Sequence, residues 1–148
     1  KVAQLCQATG YLVVKLSELH GKPLRTSPDI LVVDAMGMLK ACYQLASCAF
    51  VGGSFVHKGG HNALEPALYA VPTIMGPSIF NNPIICDVLE NAGGLKILSA
   101  PVQLADTALE WFNNADIAQR AGLANKQVIE KNRGAIEQTL EAIGGVFE

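Results

Sequence analysis

The sequence is poor in basic residues. Lysine and arginine together number 11 among 148 residues, and the formal net charge is −2. These residues form no cluster or stripe, whereas a protein that binds nucleic acid presents a concentrated positive surface to the phosphates. The shortage of positive charge therefore argues against a nucleic-acid partner.

Paired cysteine spacings and long apolar runs are missing as well. The four cysteines show no C-x-x-C spacing, and no His, Cys or Asp cluster has the spacing of metal ligands. We therefore expect reduced core cysteines in a cytosolic protein, with no metal and no cofactor. No stretch reaches the roughly 18 apolar residues that a membrane-spanning helix needs, and no signal peptide is recognisable.

What the sequence does contain is an alternation of short apolar runs with helical stretches. Five runs lack the polar alternation of a half-exposed strand, which predicts strands buried on both faces. The runs are Tyr11–Val14, Ile30–Val33, Cys48–Val51, Pro72–Met75 and Leu95–Leu98. Helices are predicted between them, near 36–46, 62–70 and 81–92. The pattern therefore predicts an α/β fold with a doubly wound parallel sheet.

The last third of the chain carries no strand pattern. Helices are predicted near 100–113, 115–131 and 134–144, with Ser99 as the first N-cap and a break or bend at Gly134. The chain begins inside a helical pattern with Lys1 rather than methionine. We therefore expect residues 1–148 to form one domain, or a large piece of one, that lacks its N-terminal part.

The densest group of glycine and polar residues is GGSFVHKGGHNALE, at positions 52–65, directly after a predicted strand. Asn62 is placed to cap the next helix, whose first turn would begin with Ala63, Leu64 and Glu65. A helix start behind glycines presents backbone N–H groups to an anion, and Glu65 could accept hydrogen bonds from sugar hydroxyls. Asn62 with Glu65 also resembles a capping box, which needs no ligand. The residues alone leave both interpretations open.

Other candidates have weaker support. The segment D-A-M-G-M at 34–38 follows a predicted strand, where Gly37 would let the backbone approach a ligand, or Asp34 would simply cap the next helix. His57 and His61 lack a serine or cysteine nucleophile with a third partner, so they do not indicate covalent catalysis. The glycines match neither G-x-G-x-x-G nor the P-loop pattern, which argues against dinucleotide and NTPase sites.

The order of the glycine segments resembles that of one enzyme family. The segments are A-F-V-G-G-S-F-V at 49–56, G-G-H-N at 59–62, L-E-P at 64–66 and M-G-P at 75–77. They closely resemble the C-terminal domain of the 3-deoxy-D-manno-octulosonic acid (Kdo) transferases, and the resemblance extends over nearly the whole chain. It implies a partial, Rossmann-like C-terminal domain of a GT-B glycosyltransferase, without its first strands and with a helical tail.

The resemblance also implies which residues bind the donor. CMP would be held by Met36, Gly37, Met38, Asn62, Ala63, Leu64 and Glu65. In this hypothesis the backbone N–H groups of 62–64 meet the phosphate, Glu65 meets the ribose hydroxyls, and the 36–38 segment meets the base. The family often reads G-D-T-M-G-E where this chain has V-D-A-M-G-M at 33–38, so contacts at 35 and 38 would come mainly from the backbone.

The implied activity belongs to an inverting, metal-independent enzyme. It would transfer Kdo from CMP-Kdo to a lipid A precursor (lipid IVA) in lipopolysaccharide biosynthesis, at the cytoplasmic face of the Gram-negative inner membrane. The acceptor surface and the catalytic carboxylate belong to the family's N-terminal domain, so we expect the 148-residue chain alone to transfer no Kdo. Two alternatives are a GT-B domain that uses a UDP-sugar and a non-catalytic nucleotide-binding module.

Overall fold

A computed structural model describes residues 1–24 and 26–144 of the chain. The chain folds into two compact units, Lys1–Cys42 and Tyr43–Glu148. Each unit contains its own parallel strands, and all five predicted strands are present. Four lie within their predicted bounds, and the first runs over Val13–Lys15 instead of Tyr11–Val14. The α/β class and the parallel pairing predicted from the sequence are therefore confirmed.

The first unit is built on two parallel strands. In chain order its elements are α1 (Val2–Ala8), β1 (Val13–Lys15), a short 3-10 helix (Leu16–Leu19), β2 (Ile30–Val32) and the start of α2 (Leu39–Leu45). β1 pairs with β2 so that Val14 lies opposite Leu31. At the entry to the pair, Leu12 and Asp29 exchange hydrogen bonds: the Leu12 N–H donates to Asp29 Oδ2 at 2.8 Å, and the Asp29 N–H donates to Leu12 O at 3.0 Å.

The second unit is built on three parallel strands. In chain order its elements are β3 (Ala49–Phe50), α3 (Leu64–Leu68), β4 (Thr73–Met75), α4 (Pro83–Asn91), β5 (Leu95–Ile97), α5 (Gln103–Asn113) and α6 (Ala115–Gly144). The strand order is β3-β4-β5, with β4 in the middle. Each parallel step is made by a crossover that contains a helix, as parallel pairing requires.

The middle strand β4 divides the core of the second unit into two clusters. Ile74 packs with Trp111 in one cluster, and its neighbour Met75 packs with Leu89 in the other, because successive side chains of a strand point to opposite faces. All three residues of β4 are buried. The prediction that every strand is buried on both faces is wrong for the other four strands, which contain partly exposed residues such as Phe50 (42% exposed). In the described ladders each of those strands has a pairing neighbour on one side only.

The helical tail differs from its prediction in two places. α6 runs without a break through Gly134, because an interior glycine costs a helix only about 1 kcal/mol relative to alanine. Ser99 does not cap α5; instead its N–H and hydroxyl both donate to Gln103 Oε1, at 3.0 and 2.9 Å. α6 contacts α3, α4 and α5, so it covers the described helices of its unit. No helix in the described part of the chain combines the length and apolarity needed to cross a membrane.

Asn125 ties α6 to the amino ends of β4 and β5. Its side chain is fully buried, and Nδ2 donates to Val71 O at 2.9 Å and to Gly94 O at 2.8 Å. Val71 and Gly94 lie just before the two strands, so one amide group holds both strand entries against the helix. A Cβ on Gly94 would collide with Asn125 Oδ1, which shows how closely the helix approaches.

We expect Asn125→Ala to lower the free energy of unfolding by about 1–3 kcal/mol, because two buried carbonyl groups lose a donor. The measurement is urea denaturation followed by fluorescence of Trp111, the single tryptophan, which is 3% exposed. Asn132→Ala is the matched control: it removes an exposed α6 amide that donates to Val128 O, and we expect a change within about 0.5 kcal/mol. Equal effects of the two substitutions would contradict the role of Asn125.

Candidate functional site

The glycine-rich segment after β3 is a closed loop rather than a flexible connection. The N–H of Gly60 donates to Gly53 O at 3.3 Å, and the N–H of His61 donates to Gly52 O at 3.0 Å. The two ends of the loop are therefore held together where α3 is about to begin. We call residues 52–61 the glycine loop. It starts at the carboxyl end of a parallel strand, where α/β proteins commonly bind ligands.

Ser54 joins the glycine loop to the segment after β4. The residue is fully buried; its hydroxyl donates to Val51 O at 2.6 Å and accepts the N–H of Gly76 at 2.9 Å. Its carbonyl oxygen accepts the N–H of Ser78 at 2.9 Å. One serine therefore satisfies three backbone groups from the carboxyl ends of two neighbouring strands.

Asn81 closes the junction from the other side. Its amide nitrogen donates to Lys58 O at 2.9 Å and to Gly60 O at 3.0 Å. Beside it, the N–H of Gly59 donates to Ser78 Oγ at 3.1 Å. The tip of the glycine loop is thus hydrogen-bonded to residues about 20 positions further along the chain, and these bonds define its shape.

Two glycines are required by this close approach. Gly59 has a φ of +76°, and a Cβ there would lie 2.5 Å from Asn81 Cγ. A Cβ on Gly76 would lie 2.5 Å from Ser54 O. Because both distances are far below van der Waals contact, and left-handed backbone also favours glycine at 59, larger residues would separate the two segments.

Asn62 forms the predicted capping bond, but the capping box is incomplete. Its Oδ1 accepts the N–H of Leu64 at 3.0 Å, as an N-cap side chain does, although the assigned helix begins one residue later than expected. The Glu65 carboxylate makes no hydrogen bond or ion pair within the described residues. The backbone N–H groups of Asn62 and Ala63 have no acceptor there either. Glu65 is half-buried.

The two histidines of the loop are exposed, and neither contacts a nucleophile in the described structure. The His57 ring packs against the Phe80 ring, with centroids 5.0 Å apart. The roles of Ser54, Asn81 and Phe80 were not predicted, because a hydrogen bond or ring contact across more than 20 positions leaves no local pattern.

The other predicted donor segment, 36–38, lies in the first unit. Gly37 has a φ of +80°, Met36 is 99% exposed and Met38 is 38% exposed. Asp34 does not cap α2. Its carboxylate accepts the Ser17 N–H at 2.9 Å and the Ser17 hydroxyl at 2.7 Å, which fastens the end of β2 to the 3-10 helix. The segment therefore follows a strand end that is fixed by hydrogen bonds, and both of its methionines are exposed.

We expect Ser54→Ala to lower the free energy of unfolding by about 1–3 kcal/mol, since a buried carbonyl and a buried N–H lose their partner. Ser99→Ala removes an exposed hydroxyl and serves as the control, with an expected change within about 0.5 kcal/mol. Chemical denaturation of both variants is the measurement. A stability of Ser54→Ala equal to that of the control would argue against the junction.

The hydrogen bonds from Ser17 hold the pKa of the Asp34 carboxyl below its ordinary value. Because the folded-state pKa is lowered, the contribution to stability is present above the unfolded-state pKa and is lost as pH falls through the folded-state pKa. We expect an NMR titration to show a pKa for Asp34 below the ordinary value of an aspartate. Ser17→Ala should raise it, whereas Ser27→Ala, at an exposed serine of the same unit, should leave it unchanged.

The chain was compared with family models, with curated proteins and with solved structures. No family model matches the chain. It is 35% identical over 121 residues to the 3-deoxy-D-manno-octulosonic acid transferase of Haemophilus influenzae, a match that covers 81% of this chain and 28% of that protein. The enzyme of the same name from Chlamydia trachomatis is 34% identical over 115 residues, with 76% of this chain and 26% of that protein covered. The chain thus spans little more than a quarter of these relatives.

A solved structure extends the similarity to the fold. The crystal structure of the C-terminal CMP-Kdo binding domain of WaaA from Acinetobacter baumannii superposes with a TM-score of 0.76 at 29% sequence identity. The superposition covers 85% of this chain and 65% of that one. The resemblance seen in the sequence is therefore confirmed: the chain belongs to the 3-deoxy-D-manno-octulosonic acid transferase family and corresponds to part of its C-terminal domain.

Proposed function

We propose that the chain is the donor-binding part of a glycosyltransferase that transfers Kdo from CMP-Kdo, and that it binds CMP-Kdo itself. It would form part of the C-terminal nucleotide-sugar-binding domain of a GT-B enzyme. The names of the relatives from Haemophilus and Chlamydia support the activity, and the name of the Acinetobacter domain supports CMP-Kdo as the ligand.

The unpaired carboxylate of Glu65 is the observation that carries the proposal. A capping box would have used this group to accept the N–H of Asn62, yet no such bond is present. A carboxylate that accepts no hydrogen bond from the described protein is free to accept hydrogen bonds from donors on a ligand. Two adjacent ribose hydroxyls provide two such donors, which a carboxylate can accept together.

The phosphate would be met by fewer backbone groups than the sequence indicates. The N–H of Leu64 is already taken by Asn62 Oδ1, at 3.0 Å. Asn62 is exposed and its N–H has no acceptor in the described structure, whereas Ala63 is fully buried, so we assign the phosphate contact to the N–H of Asn62. Leu64 is then a structural member of the segment. A hydrogen bond to a charged phosphate is stronger than one between neutral groups.

The segment 36–38 is proposed as a contact to the base of the nucleotide. Met36 and Met38 offer flexible, polarizable side chains, and the left-handed Gly37 leaves the backbone open to close approach. A role for this segment is tested separately from Glu65, by Met36→Ala with CMP as the titrant.

The acceptor, the membrane and the location also belong to the proposal. A lipid A precursor would be the acceptor, bound by another part of the enzyme at the cytoplasmic face of the bacterial inner membrane. The resemblance to the Kdo transferases supports this placement. Transfer of Kdo to lipid IVA by the enzyme that contains this segment, followed by mass spectrometry of the lipid, is the direct test.

We expect the purified chain to bind CMP more tightly than UDP in titration calorimetry, and Glu65→Gln to weaken CMP binding by about tenfold or more. Because Glu65 makes no hydrogen bond within the described protein, the same substitution should change stability by less than about 0.5 kcal/mol. Asp87→Asn is the control, since Asp87 is an exposed carboxylate of α4 and should leave CMP affinity unaltered.

Three results would count against the proposal. No measurable CMP binding would remove the donor function. Tighter binding of UDP would favour the alternative of a UDP-sugar enzyme. Unchanged CMP affinity in Glu65→Gln, together with a loss of stability, would mean that Glu65 supports the helix and not the nucleotide.

A further inference from the structure

A shallow pocket lies beside the glycine loop, outside the residues assigned to the nucleotide. Its volume is about 540 Å³, within the range of small-molecule sites. Its lining consists of His57, Pro77, Ser78, Ile79, Phe80 and Pro83. One wall therefore comes from the glycine loop, and the rest comes from the segment that joins β4 to α4.

The pocket has an aromatic wall. The His57 and Phe80 rings lie 5.0 Å apart at an interplanar angle of 47°, and 54% of Phe80 is exposed. A half-exposed phenylalanine on a lining of proline and isoleucine offers a flat apolar surface to a ligand. Such a surface suits the carbon face of a sugar ring, whose hydroxyl groups project around the edge.

The pocket is held in shape by hydrogen bonds on both sides. Asn81 fastens the loop tip through Lys58 O and Gly60 O, and the N–H of Gly59 donates to Ser78 Oγ. The two walls are therefore joined directly to each other by residues at the rim. A preformed pocket loses little conformational entropy when a ligand binds.

The polar groups at the pocket suit an anion. No lining residue is acidic. Ser78 Oγ accepts from Gly59, and its own O–H finds no acceptor in the described structure, so it can donate to a ligand. His57 and its neighbour Lys58 are exposed, and neither has an ion-pair partner among the described residues. A carboxylate entering here would meet hydrogen-bond donors and no fixed negative charge.

We propose that this pocket receives the acidic sugar of the donor, which is the part beyond the nucleotide. The inference rests on the proposed function, because it takes CMP to bind at Asn62–Glu65. A 3-deoxy-octulosonic acid carries a carboxylate and a CH₂ group in place of one hydroxyl-bearing carbon. The CH₂ side packs on Phe80, and the carboxylate accepts hydrogen bonds from Ser78 and from the His57–Lys58 segment. The pocket thus selects a sugar acid over a neutral sugar.

The test compares CMP with CMP-Kdo as titrants of the purified chain and two pocket variants, Phe80→Ala and Phe80→Leu. We expect CMP-Kdo to bind the unmodified chain more tightly than CMP does. Both variants should weaken CMP-Kdo by about fivefold to tenfold and change CMP by less than about twofold. The CMP titration also reports whether each variant is folded. Phe112→Ala, at a phenylalanine of α5 that is 61% exposed, is the matched control and should alter neither ligand.

Failure of this inference differs from failure of the proposed function. If CMP binds normally but Phe80→Leu leaves CMP-Kdo affinity unchanged, the pocket is not the sugar site, and the nucleotide assignment stands. Equal losses for CMP and CMP-Kdo would place Phe80 under the nucleotide and would also overturn the inference. If the unmodified chain binds neither ligand, the proposed function and this inference both fall.

Discussion

The hydroxyl group of Ser54 is the constraint on which the candidate site depends. A parallel sheet leaves polar backbone groups at the carboxyl ends of its strands, and ligand sites need those ends to be both open and rigid. Here one buried hydroxyl donates to a carbonyl oxygen at the end of β3 and accepts an N–H at the end of β4. Two neighbouring loops therefore share a fixed geometry, and their outer atoms stay available for a ligand.

The opposite end of β4 is fixed by a different residue. Asn125 binds the chain just before β4 and just before β5, where no ligand role is assigned. The middle strand is thus held by a buried polar side chain at each end, and its own side chains fill both core clusters. Hydrogen bonds with strict geometry position the loops, and apolar packing supplies the stability between them.

The sequence could predict the elements better than their contacts. Short continuous apolar runs located all five strands, and the stretches between them located the main helices. The sequence did not predict the 3-10 helix at Leu16–Leu19, whose four residues are too few to show a period. Asn62 was identified because a cap acts over two or three positions. The roles of Ser54 and Asn81 were not identified, because they depend on hydrogen bonds to residues more than 20 positions away. Such bonds leave no pattern in the sequence around either residue. Glu65 is unpaired because its carboxylate does not accept the N–H of Asn62, and a sequence pattern cannot predict that this bond is missing.

The hydrogen bonds of Asn81 make the shape of the glycine loop independent of the charged side chain at its tip. Both bonds go to backbone oxygens, so the side chain at 58 takes no part in closing the loop. An enzyme engineer could therefore replace Lys58 by an acidic or neutral residue and keep the loop conformation. Libraries at this one position would vary the electrostatic preference of the loop over a constant backbone, whereas libraries at 59 or 81 would change the backbone itself.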